Sequence, residues 1–302
     1  LGARIECLET DEAQRELIPL QPVQQPELFD SHARELRWPA PAPAHSPWRE
    51  RICNLVPGLV ETRQDVWQDT ERYLIHGLEF ARVAHVSTRP RASFGVATGR
   101  QAMGEDEWPM PAEAALSEEN FDALAALVRL IETHRTANPP ARRHPAYRLR
   151  AEAWLESLLR RDIQLLDESL DPRFVYSQIP AWQAEDRSVI DLLAVSRAGR
   201  LVVIEIKASE DMNLPLQGLD YWMRVEQARR RGEFTRRGLF PGLELAAAPA
   251  LLYLVAPRLR FHRTFTRVAR CLAPEIAAYQ LGLNAGWREG VRVHTKDRVN
   301  DR

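Results

Sequence analysis

Val189-Ile190-Asp191-Leu192-Leu193-Ala194-Val195 and Leu201-Val202-Val203-Ile204-Glu205-Ile206-Lys207 are two apolar, β-branched runs separated by Ser196-Arg197-Ala198-Gly199-Arg200. Their length and composition predict strands at 188–195 and 201–206 joined by a Gly-containing hairpin. Side chains alternate along a strand, so Glu205 and Lys207 share one face while Ile204 and Ile206 take the other. Asp191 sits inside the neighbouring apolar run, where a charge without a partner is costly. Two carboxylates and an ammonium are therefore expected at one point.

That combination suits phosphodiester hydrolysis. Hard oxygen ligands hold Mg²⁺ or Mn²⁺, and such an ion polarises a phosphate and lowers the pKa of bound water. An ammonium alongside offsets charge developing in the transition state. Asp191 and Glu205 are the expected metal ligands, with the backbone carbonyl of Ile206 a third, and Lys207 is the expected charge stabiliser. A Glu-x-Lys after an apolar run is common by itself. Here it carries one of only two lysines, Lys207 and Lys296, in a chain whose other basic side chains of this kind are all Arg.

Outward from the hairpin, leucines and Ile163 repeat at helical spacing over 148–166, Asp171-Pro172 marks a turn, and 174–179 alternates like a strand. A helix is expected from Pro215 to about Arg231. Leu251 to Val255 reads as a buried strand, 264–272 as a helix, and 276–281 and 291–294 as short strands. The order helix, three strands, helix, strand predicts an α/β fold, a mixed sheet flanked by helices. Residues 145–302 form this domain. A smaller α+β domain is expected over 49–138, with strands around 73–86 and 92–99 and a helix capped at Ser117 that buries Phe121, Leu124, Leu127, Val128 and Ile131. Residues 1–48, rich in Pro and Gln, read as a flexible arm with a polyproline-like connector at 38–44.

The chain has 302 residues, 45% of them hydrophobic, and a formal net charge of -1, so no overall basic field advertises a nucleic-acid partner. Cys7, Cys53 and Cys271 match neither a disulfide framework nor a zinc knuckle, and reduced thiols in a cytoplasmic protein are expected. No run reaches the length of a membrane span. His spacing fits no zinc site, and without a Gly-x-x-x-x-Gly-Lys loop any helicase or ATPase partner is a separate chain.

The ordered set Asp191, Glu205, Lys207 resembles the PD-(D/E)XK nuclease superfamily, the restriction-endonuclease-like fold. Gln217-Gly218-Leu219-Asp220-Tyr221 follows on the next helix, which is similar to the Gln-x-x-x-Tyr of its RecB-like and NucS-like branches. The resemblance covers about 148–295 and implies that Gln217 and Tyr221 face the site from one side of that helix. It also implies an acidic residue on the preceding helix. In Glu152-Ala153-Trp154-Leu155-Glu156, Glu152 is favoured and Glu156 is its rival. Ile190 stands where the superfamily's Pro would be, as an apolar residue commonly does in these branches.

The expected activity is Mg²⁺- or Mn²⁺-dependent hydrolysis of DNA (single-stranded, double-stranded or branched) in repair, recombination or defence. The alternatives are RNA as substrate, or a nucleic-acid-binding or assembly module without turnover. Arg229, Arg230 and Arg236, with Arg231 and Arg237, form either a phosphate track or a solvated helix end. Arg142, Arg143, Arg148 and Arg150 offer a second such patch. By analogy of domain order alone, residues 49–138 would bind DNA or form a homodimer.

Overall fold

The computed structural model describes residues 8–11, 16–19, 46–65, 69–86, 89–96, 110–182 and 187–301. The expected connector at 38–44 and Cys7 lie outside them. Two compact units are present, Leu1–Arg34 and Glu35–Arg302. The first contains an antiparallel pair, β1 (Leu8–Asp11) and β2 (Glu16–Pro19).

The second unit is mixed α/β and holds two sheets. It opens with α1 (Pro47–Cys53), capped by the Ser46 hydroxyl, which accepts from the Trp48 N–H. An antiparallel meander follows: β3 (Val60–Asp65), β4 (Thr70–Ile75), β5 (Leu78–Val86), β6 (Arg89–Phe94) and β7 (Ala114–Ala115). The stretch expected as one strand from Tyr73 to Val86 turns back at His76-Gly77. Both residues take positive φ, 45° and 72°, the geometry of a tight hairpin. β3 had no sequence signal, because its Val-Glu-Thr-Arg-Gln-Asp is polar on both faces. α2 (Phe121–His134) covers one face of this sheet, packing Leu124, Leu127, Val128 and Ile131 against Tyr73, Phe80 and other strand residues.

The expected helix at 148–166 is two pieces, α4 (Ala151–Arg161) and a 3-10 turn at Ile163–Leu165, with the short α3 (Pro145–Arg148) ahead of them. Arg150, with φ of 50°, separates α3 from α4, and Asp162, whose φ of -144° is not helical, separates α4 from the 3-10 turn. Helical periodicity runs through both breaks, which is why the pattern did not reveal them.

Next come β8 (Leu170–Trp182), β9 (Arg187–Ser196), β10 (Leu201–Ile206), the 17-residue α5 (Leu214–Arg230), the short α6 (Glu233–Arg236), β11 (Leu251–Pro257), α7 (Phe265–Ala269), β12 (Ala277–Leu283) and β13 (Val293–Arg298). They build a six-stranded sheet in sequential order from β8 to β13. β10–β11 and β11–β12 are parallel and the other neighbours antiparallel. The mixed sheet between helices follows the predicted order of elements.

The two faces of the sheet differ. On one, Leu192, Ile204, Ile206 and Val255 form a core with Trp154, Leu155 and Leu159 of α4. On the other, α5 lies close: a Cβ added at Gly218 would stand 2.5 Å from Leu254 Cδ2. Parity then places Glu205 on the α5 face, since its neighbours Ile204 and Ile206 occupy the α4 side.

Candidate functional site

β9 and β10 pair in antiparallel register through Ile204↔Leu192. Asp191 and Glu205 are the next residues of each strand, so they project side by side on one face. Asp191 Oδ2 accepts the Ile206 N–H at 2.9 Å, and the Asp191 carboxyl lies within hydrogen-bonding reach of Glu205. Glu205 is 2% exposed. Lys207, held to β11 by its N–H donating to Val255 O at 2.9 Å, donates from Nζ to Glu205 Oε1 at 3.0 Å. Glu205 Oε2 is buried with no donor.

Facing carboxyls are both acceptors, so the pair needs a shared proton or a cation. Its electrostatics say the same. Asp191 keeps some contact with solvent, but protein crowds its carboxyl, and burial followed by the Glu205 charge pushes its pKa well above the ordinary carboxylate range. Burial pushes Glu205 up to about 7, against the pull of Lys207. Burial works against the Lys207 charge too, yet Glu205, Asp191 and Glu152 together outweigh it and raise the ammonium's pKa.

From α5, Tyr221 joins the pair. It is 6% exposed, its hydroxyl lies within hydrogen-bonding reach of the Val189 backbone, and burial and then the charges of Glu205 and Asp191 raise its pKa. Gln217 stands one turn earlier on the same helix, and its Oε1 is buried without a donor.

The two acidic residues of α4 part company. Glu152, favoured from the sequence, is exposed, although its charge reaches Glu205 and Lys207. Glu156 is 2% exposed and its charge reaches Asp191. Its Oε2 accepts from Arg63 Nη1 at 2.8 Å and from Gln178 Nε2 at 3.3 Å, while its Oε1 is buried with no donor. Burial raises the Glu156 pKa, against the opposing effect of Arg63.

The arginines expected as a phosphate track are not brought to this point. Gln217 lies in the first turn of α5 and Arg229 near its end, roughly 18 Å apart at 1.5 Å per residue. α5 carries the chain back between the parallel strands β10 and β11, so its C-terminus lies at the opposite end of the sheet from Lys207. There Arg229 forms a bidentate pair with buried Glu226, at 2.8 to 3.1 Å, and donates to Ala247 O at 2.9 Å. Arg230 reaches toward the same Glu226 carboxylate at 3.9 Å, and Arg236 is exposed on α6.

Arginine does approach the site from the other sheet. Beside Val189, Gln178 and Glu156 lies a cleft of about 330 Å³ lined also by Arg63, Arg72 and Arg82. These three stand directly opposite one another on β3, β4 and β5. Acidic neighbours interleave with them: Arg72 meets Asp65 at 3.4 Å and Glu79 at 3.3 Å, and Arg82 meets Glu79 at 2.8 Å. Nothing in the sequence pointed to β3 as a contributor.

Whether a divalent cation fits can be judged from the oxygens. Among the described residues no three His, Cys, Asp or Glu side chains are already gathered to hold an ion. Asp191 and Glu205 nevertheless supply paired hard oxygens of the kind Mg²⁺ prefers, Glu205 Oε2 has no donor, and that ion commonly binds through one or two carboxylates and keeps its waters. The donor set fits. No helix among the described residues is long and apolar enough to cross a membrane. No protein-family model matches this chain, and no curated protein matches it.

Proposed function

We propose that the chain is a metal-dependent nuclease of the PD-(D/E)XK type, with a restriction-endonuclease-like fold over 145–302, that hydrolyses DNA phosphodiester bonds with Mg²⁺ or Mn²⁺. The observation that carries this reading is the buried Asp191–Glu205 pair, two acceptors in reach of each other with Lys207 Nζ at 3.0 Å from one of them.

Asp191 and Glu205 would hold the ion, with the Ile206 carbonyl beside them. When bound, the ion supplies charge neutralisation at the phosphate and a more acidic water. The rest falls to the chain itself. Lys207, kept protonated by Glu205, offers a fixed positive charge where the phosphate becomes more negative. Tyr221, whose raised pKa keeps its hydroxyl protonated, can donate to a phosphate oxygen, and Gln217 can orient the same group from the preceding turn. Because this machinery is pre-positioned by β10 and α5, it loses little freedom on engaging substrate.

Cleavage of end-labelled single-stranded, double-stranded and branched DNA, and of RNA, with Mg²⁺ or Mn²⁺ tests the reading. Wild type should cut at least one DNA, and Asp191→Ala should not. If neither nucleic acid is cut and no divalent ion binds, the catalytic reading fails and a binding or assembly role takes its place. Cleavage of RNA alone would keep the chemistry and change the substrate.

A further inference from the structure

We infer that Arg63, on β3 of the five-stranded sheet, is a positioning residue for the cation site: with Gln178 it holds Glu156 by one oxygen and leaves the other to serve a hydrated cation beside Asp191. The inference rests on the metal-dependent reading above. It makes the five-stranded sheet part of the site.

The pattern of bonds at the junction of β3 and α4 sets Arg63 apart from an ordinary clamp. Glu61, two residues before Arg63, is engaged by Ser157 Oγ, by Arg160 Nη2 at 2.8 Å and by Arg161 Nη2 at 3.8 Å. That cluster docks the sheet on α4 and leaves Glu61 well supplied with donors. Arg63 takes only a loose 3.5 Å contact with Glu61 and gives its short bond, 2.8 Å, to Glu156. Here Oε2 receives both donors, Arg63 and Gln178, whereas Oε1 is buried with none. An oxygen buried without a donor is costly unless something absent from the free chain relieves it. Glu156 lines the same cleft as Val189, which shares a face of β9 with Asp191, and the charge of Glu156 reaches Asp191. A side chain that orients a ligand from behind is the usual support of a metal site.

Binding of Mn²⁺ to the full chain, followed by loss of the free-ion electron paramagnetic resonance signal, tests this without reference to cleavage. Arg63→Gln should weaken Mn²⁺ binding about 10- to 100-fold, Glu156→Gln should do the same, and Arg63→Lys should recover part of the loss. Arg160→Gln removes a docking bond to Glu61 but has no hydrogen bond to Glu156. It should lower thermal stability and leave Mn²⁺ affinity within about twofold. Wild-type affinity in Arg63→Gln would overturn the inference, and so would an equal loss in Arg160→Gln. If Arg63→Gln does not fold, Gln178→Leu replaces it: a several-fold loss supports the role and no loss overturns it. Asp191→Asn separates the two levels. Wild-type binding in that variant, or no binding in wild type, sinks the cation site itself, whereas loss there without loss in Arg63→Gln sinks only the role of Arg63.

Discussion

At the scale of single residues, the site is held in an uncomfortable state. Two carboxyls share a poorly solvated corner with one ammonium, and both have raised pKa values. A carboxyl whose folded pKa lies above its unfolded value favours folding fully at low pH, and that contribution is lost as pH rises through the folded pKa. For Glu205 the window runs from its ordinary value of 4.5 to about 7. The metal-free chain should therefore lose on the order of 2–3 kcal/mol between pH 5 and pH 8 from this pair. In thermal unfolding, Asp191→Asn should flatten that dependence and raise the melting temperature at pH 8, a stability gained at the expense of function. Mg²⁺ should offset the wild-type loss. A melting temperature that is flat in pH for wild type would contradict the shared-proton picture.

Lys207 invites a different measurement. Replacing it with Met should lower the rate of DNA cleavage about 10²- to 10³-fold, the usual consequence of losing one group aimed at transition-state charge. Mn²⁺ binding should survive, because the carboxylates remain. The other lysine is a contrasting case. Lys296 Nζ contacts Asp167 Oδ2 at 2.5 Å and Tyr253 Oη at 2.9 Å, tying β13 to β11 and to the turn before β8. Its rarity in an Arg-rich chain marks a stabilising contact, and the same rarity at Lys207 is therefore weaker support than the geometry around it.

Among the elements, α5 does two tasks at once. It crosses from β10 to parallel β11 and brings Tyr221 to the carboxylates, with Gln217 one turn before it. Its approach depends on Gly218, where a Cβ would stand 2.5 Å from Leu254 Cδ2 and 3.1 Å from Leu252 Cδ1. Those leucines are fully buried and have little room to yield. Gly218→Ala should cost about 1–3 kcal/mol in urea unfolding and lower cleavage more than a surface Ala substitution does, because α5 must lift away. Unchanged stability would mean that the leucines repack. The opposite end of α5 is anchored separately: Trp222 Nε1 donates to Ala250 O at 2.8 Å, and Ala250 N–H donates to Glu226 Oε1 at 2.6 Å. The Arg229–Glu226 pair belongs to that anchor, so Arg229 is built into packing, whereas Arg230, Arg231, Arg236 and Arg237 stay exposed.

For the second unit as a whole, the decisive contacts are those between its two sheets. Arg135, just past α2, is 1% exposed and donates to the carbonyls of Ile75, His76, Ala146, Leu149 and Arg150. Its guanidinium lies 4.6 Å from the Trp154 ring centroid, and burial lowers its pKa to about 9. It thus ties the β4–β5 turn, α3 and the start of α4 together. Arg135→Leu should cost about 3–5 kcal/mol, since it strands several buried acceptors. Lys should not rescue it, lacking the planar fork that reaches five carbonyls. Melting temperature and denaturant midpoint report both. Gly77 makes the same junction possible: its φ is 72°, and a Cβ there would stand 2.1 Å from Ala153 O. A side chain would push the turn off α4, and with it the sheet that carries Arg63.

The sequence by itself determined the hairpin of β9 and β10, the face shared by Glu205 and Lys207, and the order of elements that gives a mixed sheet between helices. Period-2 alternation and local turn chemistry suffice for these, and they involve residues near in the chain. A resemblance to the Gln-x-x-x-Tyr motif singled out Gln217 and Tyr221, and a spacing of four puts both on one helical face. Only the tertiary structure decided which carboxylate of α4 is buried. Glu152 and Glu156 lie four apart, and periodicity cannot separate residues on one face. The choice came from β3, 93 residues away in the case of Arg63 and Glu156. The fate of Arg229, and the pairing of Asp191 with Glu205 closely enough to need a proton or an ion, were likewise settled by packing. Local pattern records which way a side chain points, whereas its charge state and its partners depend on what the rest of the fold brings against it.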